Sequence, residues 1–398
     1  MPEQITATFK IVTPMFLGGA NPDELADTIR PPSVKGALRF WWRALQWGRI
    51  RASTSCDEAA LALLHDKEAQ FFGLAASKNA GGQGTFQIQV NRVRLKTTAE
   101  GTVHPQFAKF NASRYLGYGL ITAFPSQNTG EKAGQLKRPC FDEGQEFTVR
   151  IRCRNTFHES IKEALIAWGL FGGLGSRSRH GLGAIAIQSI RQDGQSIWNV
   201  PRTYDQYVTE IRKLMDAANG LSRLPPYTAF SASTRIDVLK AEESSPFSAM
   251  NTFALGLMMY RSWGNNGKVL GLDSEKNFDK DHKWKYSHDR DDFHPRRVVF
   301  GLPHNYGETD TLKVKPAKHN RRASPLFFHV HPLGKSFVGV IIYLPSQFLP
   351  QNEKINAGGT HVTANIDWTV ITNFLDGMRK IDNRPRFPEK TTIKGSGE

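Results

Sequence analysis

The stretch FGGLGSRSRHGLGAI, residues Phe171 to Ile185, decides the reading of the fold, because it joins a helical pattern to a strand pattern. It packs Gly172, Gly173, Gly175, Gly181 and Gly183 around Arg177, Arg179 and His180. Glycines let a backbone take positive φ and approach a ligand closely, with N–H groups free to face anions. Two arginines one residue apart add planar donors that suit phosphate. A dinucleotide-binding fingerprint would run from strand to helix and would need Gly where Ser178 stands. A Walker loop would need GKS or GKT, which is absent. The plain alternative is a flexible helix-to-strand connection whose glycines only cap and turn.

Outward from the loop, Ser160 to Phe171 places Ile161, Leu165, Trp168 and Leu170 at helical spacing, and Ala184 to Ile190 alternates as a strand. Upstream, strands are predicted at Ile5–Val12, Gly84–Leu95 and Glu146–Arg154. A helix begins at Ser33 and runs through Lys35–Trp47, with an inserted helix at Glu58–Phe72. Lys96 to Gly144 is rich in Gly, Pro, Asn and Lys and reads as a polar excursion able to reach a partner. The resulting βαββαβ order predicts a ferredoxin-like sheet with two helices on one face.

The second half partly repeats this order. Strands are expected at Tyr227–Leu239, Arg297–Phe300, Leu326–His331 and Phe337–Leu344, and helices at Phe247–Trp263 and Ile366–Met378, with no evident final strand. Asn219 to Pro226 is the boundary. The expectation is an α+β chain of two tandem ferredoxin-like (RRM-like) domains, 1–220 with insertions at about 50–80 and 96–144, and 221–398 with a charged insertion at about 272–295.

Fifty-two Lys and Arg against 37 Asp and Glu give a formal charge of +15 over 398 residues, which favours polyanionic partners such as nucleic acid. No apolar run reaches the length of a membrane span, so a cytoplasmic protein without membrane contact is expected. Cys56, Cys140 and Cys153 are few and far apart, and are expected to be small buried side chains without disulfide or zinc. The 272–295 insertion mixes both charge signs with His282, His288 and His294. It is expected to be solvated, with no metal or cofactor.

Two further basic segments stand out. In RPPSVKGALRFWWRALQ, Arg30 to Gln46, an N-cap at Ser33 with Lys35 in the first turn would form an anion site at a helix N-terminus. Arg39 and Arg43 follow four residues apart. Trp41 and Trp42 could stack on bases, although core packing suits at least one of them. In KHNRRASPLFFHVHP, Lys318 to Pro332, Arg321 and Arg322 precede an apolar strand as a third partner surface, or as solvated loop arginines.

VTPMFLGGANP with RPPSVKGALRFWWRAL, and the loop GGLGSRSRHGLGA, resemble the RAMP superfamily of CRISPR-associated proteins. Within it they resemble the family of first subunits of the type III-B Cmr effector complex, as does the downstream RRASPLFFHVHP. The resemblance implies two ferredoxin-like domains and a non-catalytic place in a ribonucleoprotein beside other Cmr RAMP subunits. There the chain would hold the 3′ region of a guide crRNA and help capture complementary target RNA in antiviral defence. Ser33, Lys35 and Arg39 match the family's SxKGxxR pattern, and Gly173, Gly175, Arg177, Arg179, Gly181 and Gly183 its glycine-rich loop. Because some relatives cleave RNA with a histidine, His180 is the candidate for a metal-independent endoribonuclease. A backbone or phosphate contact is the expected role. Asp23, Glu24 and Asp27 are weaker acidic candidates, since a loop in that region holds the catalytic aspartate of the family's nucleases. With no RRM-type aromatic sheet motif, recognition is expected to be directed chiefly at the RNA backbone.

Overall fold

The structure is a computed structural model that describes residues 3–21, 24–75, 81–91, 94–153, 155–218, 221–286, 293–307 and 309–395. It is a mixed α and β chain with antiparallel sheets. The first half contributes β1 (Glu3–Ile11), α1 (Pro31–Ala52), α2 (Asp57–Phe72), β2 (Gln87–Val90), α3 (Asn111–Leu116), β3 (Glu146–Cys153), α4 (His158–Phe171), β4 (Ile185–Gln192), β5 (Gln195–Trp198) and α5 (Tyr204–Ala217). The second contributes β6 (Arg235–Leu239), α6 (Pro246–Arg261), β7 (Leu326–Leu333), β8 (Ser336–Tyr343), α7 (Thr369–Asp376) and β9 (Lys390–Lys394).

The two main sheets share one plan. In the first the order is β2-β3-β1-β4-β5, with Ala7 of β1 opposite Val149 on one side and Ile190 on the other. In the second it is β7-β8-β6-β9, with Val238 of β6 opposite Val340 and Thr391. Counting only the strands of each βαββαβ series, both orders are second, third, first, fourth. Strand β9 supplies the final strand that the sequence did not reveal.

One apolar core runs through both sheets. Phe9, Val149 and Ile187 of the first, Trp41, Leu165 and Trp168 of the helices, and Ile236, Val340 and Ile342 of the second belong to one buried cluster. The opposite face of the second sheet packs Phe328, Val330 and Ile341 against Met250, Phe253 and Phe374 of α6 and α7.

Several expectations are corrected. The excursion at 96–144, expected to lack a core role, has one. Phe107, Leu116, Leu120 and Leu136 are buried in the α6 core, and Asn251 Oδ1 accepts from the N–H groups of Ala112 (3.1 Å) and Ser113 (3.3 Å). Its polar residues face solvent while widely spaced apolar ones anchor it, a pattern without a helical or strand period. The 272–295 insertion is likewise anchored: Trp284 is fully buried beside Val298, Val314 and Ile355. His288 lies outside the described residues. Arg296–Phe300 forms a 3-10 turn rather than a strand, because buried Asp281 accepts from the N–H groups of Arg296 (3.0 Å) and Arg297 (2.7 Å). Of the strand expected at 227–239 only β6 forms, and Tyr227 instead donates its hydroxyl to Arg43 O at 3.0 Å. Cys140 and Cys153 are buried, but Cys56 is exposed at the N-cap of α2, accepting from Ala59 N–H at 3.5 Å. No helix among the described residues is long and apolar enough to cross a membrane.

Candidate functional site

Three separate basic segments of the sequence meet where the start of α1, the loop after α4 and the entrance to β7 converge. Helix α1 begins at Pro31 with Arg30 as its N-cap, and the two prolines fix the helical φ at the first two positions. Ser33 is therefore the third helical residue and does not cap, which corrects the sequence expectation. Lys35 lies one turn in, half-buried, and its ammonium is held below its usual range by burial and then by Arg39.

Arg39 and Arg43 both turn toward Glu68 of α2, at 2.6 Å and 3.8 Å, and keep 41% of their side-chain surface exposed while Glu68 keeps 7%. The inserted helix thus carries a buried carboxylate whose charge α1 must balance. Trp41 and Trp42 are both core residues, at 3% and 2% exposure.

The loop after α4 is held tightly. Gly175 takes φ +90° with its α-carbon against Phe16, where an added Cβ would lie 2.5 Å from the Phe16 carbonyl oxygen. Gly183 takes φ +59°, where a Cβ would meet Leu174 O at 2.1 Å. The N–H groups of Leu174, Ser176 and Gly183 donate to Gly183 O, Phe16 O and Pro14 O at 2.8–2.9 Å. These glycines therefore serve close chain packing, and those N–H groups are committed within the protein rather than turned to an anion.

Arg177, exposed and at φ +59°, donates from Nε and Nη2 to Tyr118 O at 3.1 and 2.8 Å. The Arg179 guanidinium lies 4.3 Å from the ring centre of Phe327 and 5.2 Å from that of Phe40, and donates to Ser324 O at 3.2 Å. Burial and then the charge of Arg322 lower it to about 10, so it stays a cation at neutral pH. Phe328 N–H donates to Arg179 O at 2.8 Å and His180 bridges to Phe328, which ties the loop to β7. Burial, then Arg177, Arg261 and Arg179, push the His180 ring down to about 4. Arg322 donates to Ser346 Oγ at 2.6 Å and lies over Phe348, and exposed Arg321 contributes repulsion to Arg177.

Sequence reasoning missed Arg261, Arg297 and His304. Arg261 Nη2 lies 3.0 Å from His304 Nε2, and Arg297 lies beyond, donating to Tyr306 Oη at 3.2 Å. In sequence Arg261 is an ordinary helix C-terminal cation, and only tertiary contact places it beside His180. Glu24 and Asp27 are exposed and stand outside this cluster, and Asp23 lies outside the described residues.

Between these parts lies a cavity of about 230 Å³. Helix α1 lines it with Ser33, Ala37, Phe40 and Trp41, the loop with Phe171–Gly175, Ser178 and Arg179, and β7 with Phe327. Its walls thus come from motifs more than a hundred residues apart.

The family model described as the RAMP superfamily matches residues 8–186, which span β1 through the loop into β4. Over those residues the chain is similar to the RAMP superfamily. It is 25% identical over 357 residues to CRISPR system Cmr subunit Cmr1-1 of Pyrococcus furiosus, covering 87% of each chain. It is 24% identical over 191 residues to Cmr1-2 of the same organism, covering 46% of this chain and 93% of that one. In fold it is similar to the crystal structure of Cmr1 from Pyrococcus furiosus in its apo form, with a TM-score of 0.54 at 20% identity and 99% of both chains covered. A chain of the type III-B Cmr-beta complex bound to cognate target RNA matches with a TM-score of 0.52 at 11% identity, over 94% of this chain and 98% of that one.

Proposed function

We propose that this chain is a non-catalytic RNA-binding subunit of a type III-B CRISPR ribonucleoprotein. Two tandem ferredoxin-like domains, 1–220 and 221–398, would together present the cleft to the 3′ region of a guide crRNA and to complementary target RNA, beside other Cmr RAMP subunits in the cytoplasm. The shared strand order of the two sheets supports the domain reading. The observation that carries the functional reading is that Arg177, Arg179, Arg261, Arg321 and Arg322, drawn from both halves, lie close enough around the loop for their charges to act on one another, since clustered guanidinium groups favour a phosphate chain. Lys35, Arg39 and Arg43 extend the positive surface along α1.

The His180 nuclease reading is disfavoured by the same cluster. A ring held near 4 is neutral at pH 7, so it lacks the acidic imidazolium proton a general acid would give a leaving group, and it is a weak base. The deciding experiment is anisotropy titration of single-stranded RNA at several salt concentrations. Arg177→Ala with Arg179→Ala should weaken binding and reduce the slope of log K against log salt by about 0.7 for each lost phosphate contact. An unchanged slope would remove these arginines from the interface, and metal-independent cutting abolished by His180→Ala would restore the nuclease reading.

A further inference from the structure

The cavity is unlike a phosphate site. Neighbouring loop N–H groups donate to Gly183, Phe16 and Pro14 carbonyls, and the walls are aromatic faces: Phe40, Trp41, Phe171 and Phe327. At about 230 Å³ it is smaller than the roughly 300–1,000 Å³ of pockets for drug-sized ligands, which suits one flat ring system. Arg179 presents its guanidinium plane against Phe327 and Phe40, and guanidinium planes and aromatic rings are the surfaces on which proteins stack unpaired RNA bases.

Trp41 adds a second, independent sign. Its side chain is 97% buried and lines the cavity, yet its indole N–H has no hydrogen-bond partner among the described residues, whereas those of Trp42 and Trp168 donate to Ser160 Oγ and Gly173 O at 3.1 Å. A Cβ at Gly172 would stand 2.8 Å from Trp41 Nε1, so glycine there keeps the space beside that donor open. The donor thus faces the cavity, where water or an incoming acceptor can pair with it.

We propose that this cavity receives one unstacked keto nucleobase of single-stranded RNA, uracil or guanine, with Trp41 Nε1–H and the Arg179 guanidinium donating to its ring carbonyl. Both groups can only donate. Uracil O4 and guanine O6 accept, whereas cytosine and adenine carry an amino group at the corresponding position and would set donor against donor. Ser33 and Ser178 at the rim can adapt to either base. This inference rests on the RNA-binding reading and adds base preference to a surface otherwise directed at the RNA backbone.

The test uses the full chain with short single-stranded RNAs of uniform sequence. Oligo(U) should bind about tenfold more tightly than oligo(C), and the ratio should fall to about one in Trp41→Phe and in Ala37→Leu, which fills the cavity. Taking the ratio within each variant cancels any general change in affinity, and thermal melting checks each fold. In parallel, the Trp41 indole N–H resonance, assigned by its loss in Trp41→Phe, should shift on adding uridine but not cytidine. Equal affinity for oligo(U), oligo(C) and abasic RNA, with no uridine-dependent shift, overturns the pocket and leaves the RNA-binding reading intact. No RNA binding at low salt sinks that reading, while the uridine shift alone then decides the pocket.

Discussion

Arg386 and Glu275 form an ion pair in which each side chain is 1% exposed, with Arg386 Nη2 and Glu275 Oε2 2.5 Å apart. Arg386 also donates to the carbonyls of Asn373 and Phe374 at 2.9 Å and lies over the Tyr260 ring at 4.4 Å. Desolvating two charges offsets much of their attraction, but losing one leaves the other uncompensated. Arg386→Met should therefore destabilise the protein by about 3–5 kcal/mol in denaturant unfolding, and adding Glu275→Leu should recover much of that. Histidines impose a pH limit. Burial holds His329 down at about 3 and, with neighbouring arginines, His180 at about 4, both below the ordinary 6.5. The unfolded chain takes up these protons first, so this contribution is complete above about pH 6.5 and is lost as pH falls toward 4. The slope is at most about 1.4 kcal/mol per pH unit for each group. Unfolding free energies measured between pH 7.5 and 4.5 should show the decline, and His329→Gln should make it shallower.

Helix starts show how one residue type takes different roles in different elements. Ser245 caps α6 by accepting from Ser248 N–H at 3.1 Å, and Ser248 Oγ accepts from Ser245 N–H at 3.4 Å. Ser33, after two prolines, caps nothing. Ser245→Ala should destabilise by about 1 kcal/mol, whereas Ser33→Ala should stay within about 0.5 kcal/mol, both read from urea midpoints. The long helices α1, α2, α4 and α6 were legible because apolar side chains recur at helical spacing, and β1, β3, β7 and β8 because they alternate or form short apolar runs. Strand β9 was not: KTTIK contains one buried apolar residue, Ile393, and is a strand because β6 offers it an edge. The apolar run Val298–Phe300 looked like a strand, and buried Asp281 bends it into a turn.

Across the whole molecule, the halves that look separable in sequence share a core. Trp41 packs on Phe327 and Phe230 at 6.0 and 6.4 Å, and Tyr207 stacks on His331 at 4.0 Å. The 96–144 segment of the first half completes the α6 core of the second. Residues 1–220 expressed alone would expose Trp41, Tyr207 and Phe107 to water, a loss of apolar burial that a domain of this size tolerates poorly. The fragment should show weak near-ultraviolet dichroism and rapid proteolysis, while the full chain unfolds in one transition by both far- and near-ultraviolet signals.

By itself the sequence determined the order of most helices and strands, the excess of positive charge, and the glycine and arginine motifs that resemble the RAMP superfamily, because periodicity and composition are local properties. It also singled out Arg177, Arg179 and Arg322, which lie near one another in the structure. Only the tertiary structure decided that Glu68 would engage Arg39 and Arg43, that the distant Arg261 would join the loop, and that Phe327 and Trp41 would wall one cavity with Arg179. Those pairings depend on which faces meet when two sheets bury a common core, and no spacing along the chain records that.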